Sequence, residues 1–246
     1  MDSPTGARLL KPLISRGFRL AAMDPDFGYL LKNTPAKGWY TSLRQGRLKP
    51  GNVPLGQNLS NLLRLAALYK FGGVYLDTDV IVLKDFSSLQ NVVGAQSIDS
   101  SGNWSRLNNA VMVFEKRHPL VYEFLSEFAA TFNGSRWGHN GPYLVSRVVE
   151  RVKGWSGFNF AVVPPPAFYP VSWNSIEEFF DTPVDRRHQS RVEATLERIR
   201  RESFAVHLWN MVSRSMQVQE RSLMERIFAD CCLLCNSSSS SEKSVI

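Results

Sequence analysis

Two aspartates one residue apart, Asp77 and Asp79, carry the clearest chemical signal in this chain. Apolar runs flank them, Val74-Tyr75-Leu76 before and Val80-Ile81-Val82-Leu83 after. In a strand, residues i and i+2 point to one face, so this spacing predicts two carboxylates aimed together and Thr78 opposed. Like charges held so close repel unless a cation sits between them. All-oxygen ligands select a hard divalent ion, magnesium or manganese, rather than zinc. Two carboxylates leave most of an octahedral shell open, and water or the oxygens of a diphosphate would fill it. For the triplet alone, the competing reading is two solvated aspartates at a strand end.

A helix must set these aspartates in place. Leu59, Leu62, Leu63, Ala66 and Tyr69 recur ahead of them at helical spacing. Asn58 or Ser60 is placed to cap its start, and Gly72-Gly73 to end it. Upstream, Thr5 to Arg16 reads as a helix stopped by Gly17, and Phe18 to Met23 as a strand. Residues 24–54 are loop-rich, with a short helix over Trp39 to Leu43; they either cover a ligand site or form a surface connection. Downstream come a strand over Val92 to Gln96, a loop from Ile98 to Asn108 and a strand over Ala110 to Phe114. A helix follows from His118-Pro119 to about Phe132, and Pro142 opens another, Tyr143 to Val152. Phe158 to Val163 is a strand. Phe168, Tyr169 and Trp173 suit either sugar stacking or core packing. The rest reads as a short helix over Ile176 to Phe180, a charged helix from Asp185 to Glu202, a strand over Phe204 to Leu208 and a helix over Ser222 to Leu234. A lone His207 on an apolar strand is more often a core residue than a ligand.

The 246 residues allow one sizeable core or two small domains, and 43% hydrophobic with 21% charged residues is a globular composition. The formal charge of +7 favours anionic ligands. Basic runs with interleaved aromatics are missing, so no nucleic-acid partner is expected. No apolar run is long enough to span a membrane, and Met1 to Ser15 lacks the apolar core of a signal peptide. Cys231, Cys232 and Cys235 suit a local disulfide through Cys235 or buried thiols; zinc would need a fourth ligand. Asn58, Asn103, Asn133 and Asn236 each begin a glycosylation triplet.

Three ordered blocks carry a resemblance. They are S-N-L-L-R with L-Y-K-F-G-G-V-Y-L-D-T-D-V, then L-N-N-A-V-M-V-F-E-K with W-G-H-N-G-P-Y-L, then H-L-W-N at His207 to Asn210. They resemble the DXD-containing glycosyltransferases that include α-1,4-galactosyltransferases and α-1,4-N-acetylglucosaminyltransferases, the plant branch most of all. The likeness implies an α/β, GT-A-like fold with a mixed, mostly parallel sheet. It would be one domain over residues 1–235; by composition alone, with five serines in a row, residues 236–246 read as a disordered tail. It implies retaining, manganese- or magnesium-dependent transfer of galactose or N-acetylglucosamine from a UDP-sugar to a glycan or glycolipid hydroxyl.

By the same resemblance Asp77, Asp79 and His207 hold the metal, Trp209 packs the site and Asn210 orients a loop. Arg64, Asn61 and Asn109 face the donor with the aspartates. His139 and Asn140 are the catalytic candidates, in a turn that meets donor sugar and acceptor. Relatives often carry an acid at Asn61 and in that turn, so this chain has no evident general base there. Relatives also have a strand, a stem and a membrane anchor ahead of this point, which implies the Golgi lumen. A chain opening on a helix is therefore expected to be an incomplete gene product lacking the first strand, or a cytoplasmic one. The alternative function is a truncated, non-catalytic homologue acting as a binding protein.

Overall fold

The structure, a computed structural model, describes residues 4–232. Three helices open the chain: α1 (Pro4–Ser15), α2 (Phe27–Leu30) and α3 (Ala36–Arg44). The expected strand at residues 18–23 does not form. Phe18 and Met23 are 47% and 82% exposed, and no strand among the described residues lies beside them. An extended segment without a ladder partner has nothing to hold it.

The central helix, α4 (Leu55–Phe71), starts three residues before Asn58, with Pro54 at its N-cap. Asn58 and Ser60 therefore lie inside the helix rather than capping it, and Asn58 is buried. Leu62, Leu65 and Leu68 give α4 its buried face. Gly72 ends it at φ 71°, and any side chain there would meet the Lys116 backbone at 2.5 Å. Glycine supplies both the left-handed turn and the close approach.

Gly72 hands the chain to β1 (Gly73–Leu76), and a turn leads to β2 (Val80–Val82). β3 (Val92–Ile98) and β4 (Trp104–Phe114) form a hairpin, so Leu107, Asn108 and Asn109 sit within a strand and the loop shrinks to residues 99–103. Helices α5 (Pro119–Thr131) and α6 (Pro142–Val152) follow, then β5 (Ala161–Val163), shorter than expected. Short 3-10 turns at Pro165–Ala167 and Glu177–Phe179 precede α7 (Arg186–Glu202). The described chain closes with β6 (Ala205–His207), α8 (Asn210–Ser213) and α9 (Leu223–Cys231).

The strands form a four-stranded sheet in the order β1-β4-β3-β5 and a two-stranded sheet of β2 with β6. The α/β class and the mixed sheet are as expected, but the sheet is not mostly parallel. β3 with β5 is the parallel pair; β1 with β4, β3 with β4 and β2 with β6 are antiparallel. Five residues join β3 to β4, too few for the crossover that a parallel pair needs.

The core of the described residues has three clusters, one of which gathers Val92, Ala110, Val111, Phe168, Tyr169 and Ala205, with Leu76 and Val80 from either side of the aspartates packed against it. Leu62, Leu65, Phe124, Phe128, Leu144 and Val148 join α4, α5 and α6. Val192, Leu196, Ile199, Val206, Leu223 and Ile227 join α7, β6 and α9. Each such side chain contributes roughly 1.5–3 kcal/mol by leaving water. Cys231 is a free thiol and Cys232 is disulfide-bonded. Cys235, Asn236 and the serine-rich tail lie outside the described residues.

Candidate active site

Asp77, Thr78 and Asp79 form the turn from β1 to β2, not a strand. Strand alternation is therefore not what aligns the two carboxylates. They converge because this turn carries the chain from one sheet to the other. The Asp77 amide still donates to Ala110 O on β4 at 2.8 Å, while Leu208 N, just past β6, donates to Asp79 O at 2.9 Å. Val80 pairs with His207, which brings the imidazole beside the turn. Ligand atoms of Asp77, Asp79 and His207 all lie within 4.8 Å of one another. One divalent ion with bonds of about 2.0–2.6 Å spans such a set.

Asp79 is held by backbone. Its Oδ2 accepts from Asn210 N at 2.9 Å, and Oδ1 stands 3.6 Å from His207 Nε2. Burial pushes the His207 pKa down against the pull of Asp79, so the ring is neutral, as a ligand must be. Its Nδ1 accepts from Trp209 N at 3.1 Å. In the neutral ring that leaves the proton on Nε2, and ligation through Nε2 would shift it to Nδ1. Trp209 stacks edge-on at 4.3 Å from the imidazole and donates Nε1 to Val171 O at 2.8 Å. Its backbone is left-handed, at φ 53°.

Asp77 is held by side chains. Arg64, 6% exposed on α4, reaches Asp77 Oδ1 at 3.0 Å and Oδ2 at 3.1 Å. Tyr75 OH donates to Oδ1 at 2.7 Å. Arg64 also donates to Asn109 O at 2.8 Å and to Ser60 Oγ at 3.3 Å, and lies over the Tyr75 ring. Burial, opposed by Arg64 and reinforced by Asp77, pushes the Tyr75 pKa well up, so the phenol remains a donor.

A large bulge in β4 makes this anchor. Val93 pairs with Met112 but Gly94 pairs with Asn108, so residues 109–111 have no partners on β3. Their backbone groups are satisfied elsewhere. Ala110 N donates to Asn108 Oδ1 at 2.9 Å and Val111 N to Tyr169 OH at 3.3 Å. Phe168 and Tyr169 occupy the space where Gly94 lacks a Cβ; one would meet their rings at 2.7 Å. They are core residues, whereas Trp173 is 49% exposed at the cleft.

These groups line one cleft of about 530 Å3. Asn61 and Asn109 lie in it, joined by a hydrogen bond of 2.9 Å from Asn109 Nδ2 to Asn61 Oδ1. Asn61 also donates to Gln57 O at 3.2 Å. Asn140 is 2% exposed; its amide donates to Asn58 Oδ1 at 2.8 Å and Asn133 O at 2.9 Å and accepts from Asn133 N at 3.0 Å. It braces the cleft wall rather than presenting a free group. His139 does not reach the cleft: its Nε2 bonds with Thr131 O at 2.8 Å and its carbonyl accepts from Arg147. Sequence reasoning missed Tyr75, although applying alternation backwards from Asp77 points to it. It also missed Ser60, Gln96 and Arg106; of the two readings left open for Tyr169, core packing is the one found.

Residues 113–239 match the alpha 1,4-glycosyltransferase conserved region, and residues 14–98 match the glycosyltransferase sugar-binding region containing DXD motif. Lactosylceramide 4-alpha-galactosyltransferase of Pongo pygmaeus is 33% identical over 219 residues, 84% of this chain and 91% of that one. Alpha-1,4-N-acetylglucosaminyltransferase of Homo sapiens is 27% identical over 223 residues, 84% of this chain and 58% of that one. An uncharacterized protein of Arabidopsis thaliana is 32% identical over 232 residues, 91% of this chain and 34% of that one. The chain spans 55% of the mouse lactosylceramide relative, so it aligns with about half of such longer proteins. With its DXD turn closed by a histidine and both family regions matched along its length, this chain belongs to the DXD-containing α-1,4-glycosyltransferase family of enzymes.

Proposed function

We propose that the chain, as a single transferase domain over residues 1–235, moves a hexose from a UDP-sugar to a hydroxyl of a glycan or glycolipid. The hexose is galactose or N-acetylglucosamine, the new bond is an α-linkage with retained configuration, and manganese or magnesium is required. A Golgi setting belongs to the same proposal and rests on the family alone. No helix among the described residues is long and apolar enough to cross a membrane.

The observation that carries this proposal is the meeting of Asp77, Asp79 and His207 at a cleft lined with amide side chains. Two carboxylates and a neutral imidazole fit manganese or magnesium better than a thiolate-seeking metal. When bound, the ion would neutralise negative charge building on the departing diphosphate. Asp79 and His207 are the less encumbered ligands. Asp77 shares its charge with Arg64, which fixes where its oxygens face. The ligand set alone therefore carries less net negative charge than its two aspartates suggest, and a diphosphate should strengthen ion binding. Asn61 and Asn109 would orient donor hydroxyls. Among the described residues lining the cleft, Asp77 and Asp79 are the only carboxylates. The protein's part is thus to bind and align rather than to take a proton through a third acid.

Incubation of purified protein with manganese and UDP-galactose or UDP-N-acetylglucosamine, following UDP release, tests this. UDP release that stops with EDTA and in Asp79→Ala supports it. Release that survives Asp79→Ala rejects the metal role, and a folded protein that releases no UDP from either donor favours a binding protein.

A further inference from the structure

Arg106 lines the same cleft but takes no part in the metal-site network. It lies on β4 three residues before Asn109, about 10 Å along the strand at ~3.3 Å per residue. Its guanidinium sits over the Tyr143 ring, 4.8 Å from the centroid. No ion pair or side-chain hydrogen bond is formed by Arg106 among the described residues. Arg64 is paired with Asp77, whereas Asp79 faces the neutral His207 and accepts from the Asn210 amide. Among the described residues lining the cleft, Arg106 is the cation without a carboxylate partner.

Its surroundings are donors. Gln96 is the extra residue of a second bulge, between Ala95 paired with Leu107 and Ser97 paired with Arg106. Such bulges re-aim a side chain. Asn108 Nδ2 donates to Gln96 Oε1 at 3.0 Å, leaving the Gln96 amide nitrogen without a protein acceptor among the described residues. Tyr143 belongs to the first turn of α6, which holds no acidic residue and no side-chain cap. The positive end of that helix adds to the field. A guanidinium stacked on a ring keeps its N–H edge free for a planar oxyanion. Trp137, 51% exposed nearby, offers an apolar face to a sugar ring.

We propose that Arg106, with Gln96, is a specificity-determining anion subsite that reads an acidic group, a carboxylate or a sulfate or phosphate ester, on the acceptor glycan. That the ligand is an acceptor rests on the transferase assignment; the anion preference does not.

Calorimetric titration with three oligosaccharides tests it: one ending in a hexuronic acid, its carboxyl-reduced counterpart and its sulfated counterpart. An acidic ligand should bind about 10- to 100-fold more tightly than the neutral one. The stronger of the two acidic ligands identifies the oxyanion. Arg106→Gln should erase the difference, and Arg106→Lys should keep part of it, with the melting temperature reported for each variant. Equal affinities, no binding of any of the three, or a preference that persists in Arg106→Gln would overturn the proposal. Titration of UDP with manganese into the same wild-type protein judges the transferase assignment separately, since absent UDP binding would leave the glycan comparison intact.

Discussion

Arg64 is the residue on which the others depend. One buried guanidinium serves Asp77, the Asn109 carbonyl and Ser60 together. Removing it leaves Asp77 without its cation and the bulge without a donor. Arg64→Gln is expected to cost about 3 kcal/mol of folding stability in urea denaturation. Arg64→Lys should restore little, because a single ammonium cannot span three partners; a lysine variant as stable as the wild type would contradict this network. The sequence marks Arg64 as a candidate for contacting the donor, but its partner in the structure, Asp77, was not legible. Nothing in a helical spacing reveals that the residue faces Asp77 across a bulge. The nearness of Asp77 and Asp79 was legible from their type and spacing, whereas His207 joined them only through the resemblance, since a histidine on an apolar strand reads as core. His139 was misplaced because a turn motif does not say which side chain points inward.

At the scale of elements, the bulge in β4 and the turn between β1 and β2 do the positioning. Neither shows in the apolar pattern, since Ala110 to Phe114 reads as an ordinary strand and the bulge is decided by Tyr169, far along the chain. Tyr169→Phe removes the acceptor of the buried Val111 N–H. It should lower stability by about 1–3 kcal/mol, measured by urea denaturation, with an unchanged midpoint arguing against the bulge as drawn. A second element contact pins the loop before α4 to the loop after α5. Val53 N donates to Gly134 O at 2.8 Å, and a side chain on Gly134 would meet Pro50 O at 1.7 Å. Gly134→Ala should cost about 2–4 kcal/mol and lower the melting temperature accordingly. Helices α4 to α7 and the strand that carries His207 were readable from periodicity; the hairpin pairing was not, because Asn108 and Asn109, within β4, resemble a loop.

Across the whole molecule, two buried neutral histidines tie stability to pH. Burial lowers the pKa of His118 and of His207 from the ordinary 6.5. His118 caps α5 through Nδ1, which accepts from Leu120 N at 3.2 Å, and its Nε2 bonds with Asn159 O at 3.0 Å. The unfolded chain then binds more protons than the folded one below about 6.5, so the stabilisation is complete above that pH and drains as pH falls. The melting temperature should fall between pH 7.5 and 5.5, and His118→Gln should flatten that slope; an unchanged slope would show that His118 does not titrate with folding. The fold brings its two sheets together at Asp77 and Asp79, where we propose that a divalent ion is held. Titration of manganese followed by electron paramagnetic resonance, with and without UDP, addresses it most directly. The wild type should bind one ion, more tightly with UDP present, and Asp79→Ala should lose at least about 10-fold in affinity, roughly the loss of one charged ligand. Wild-type affinity in Asp79→Ala, with the fold intact, would contradict it.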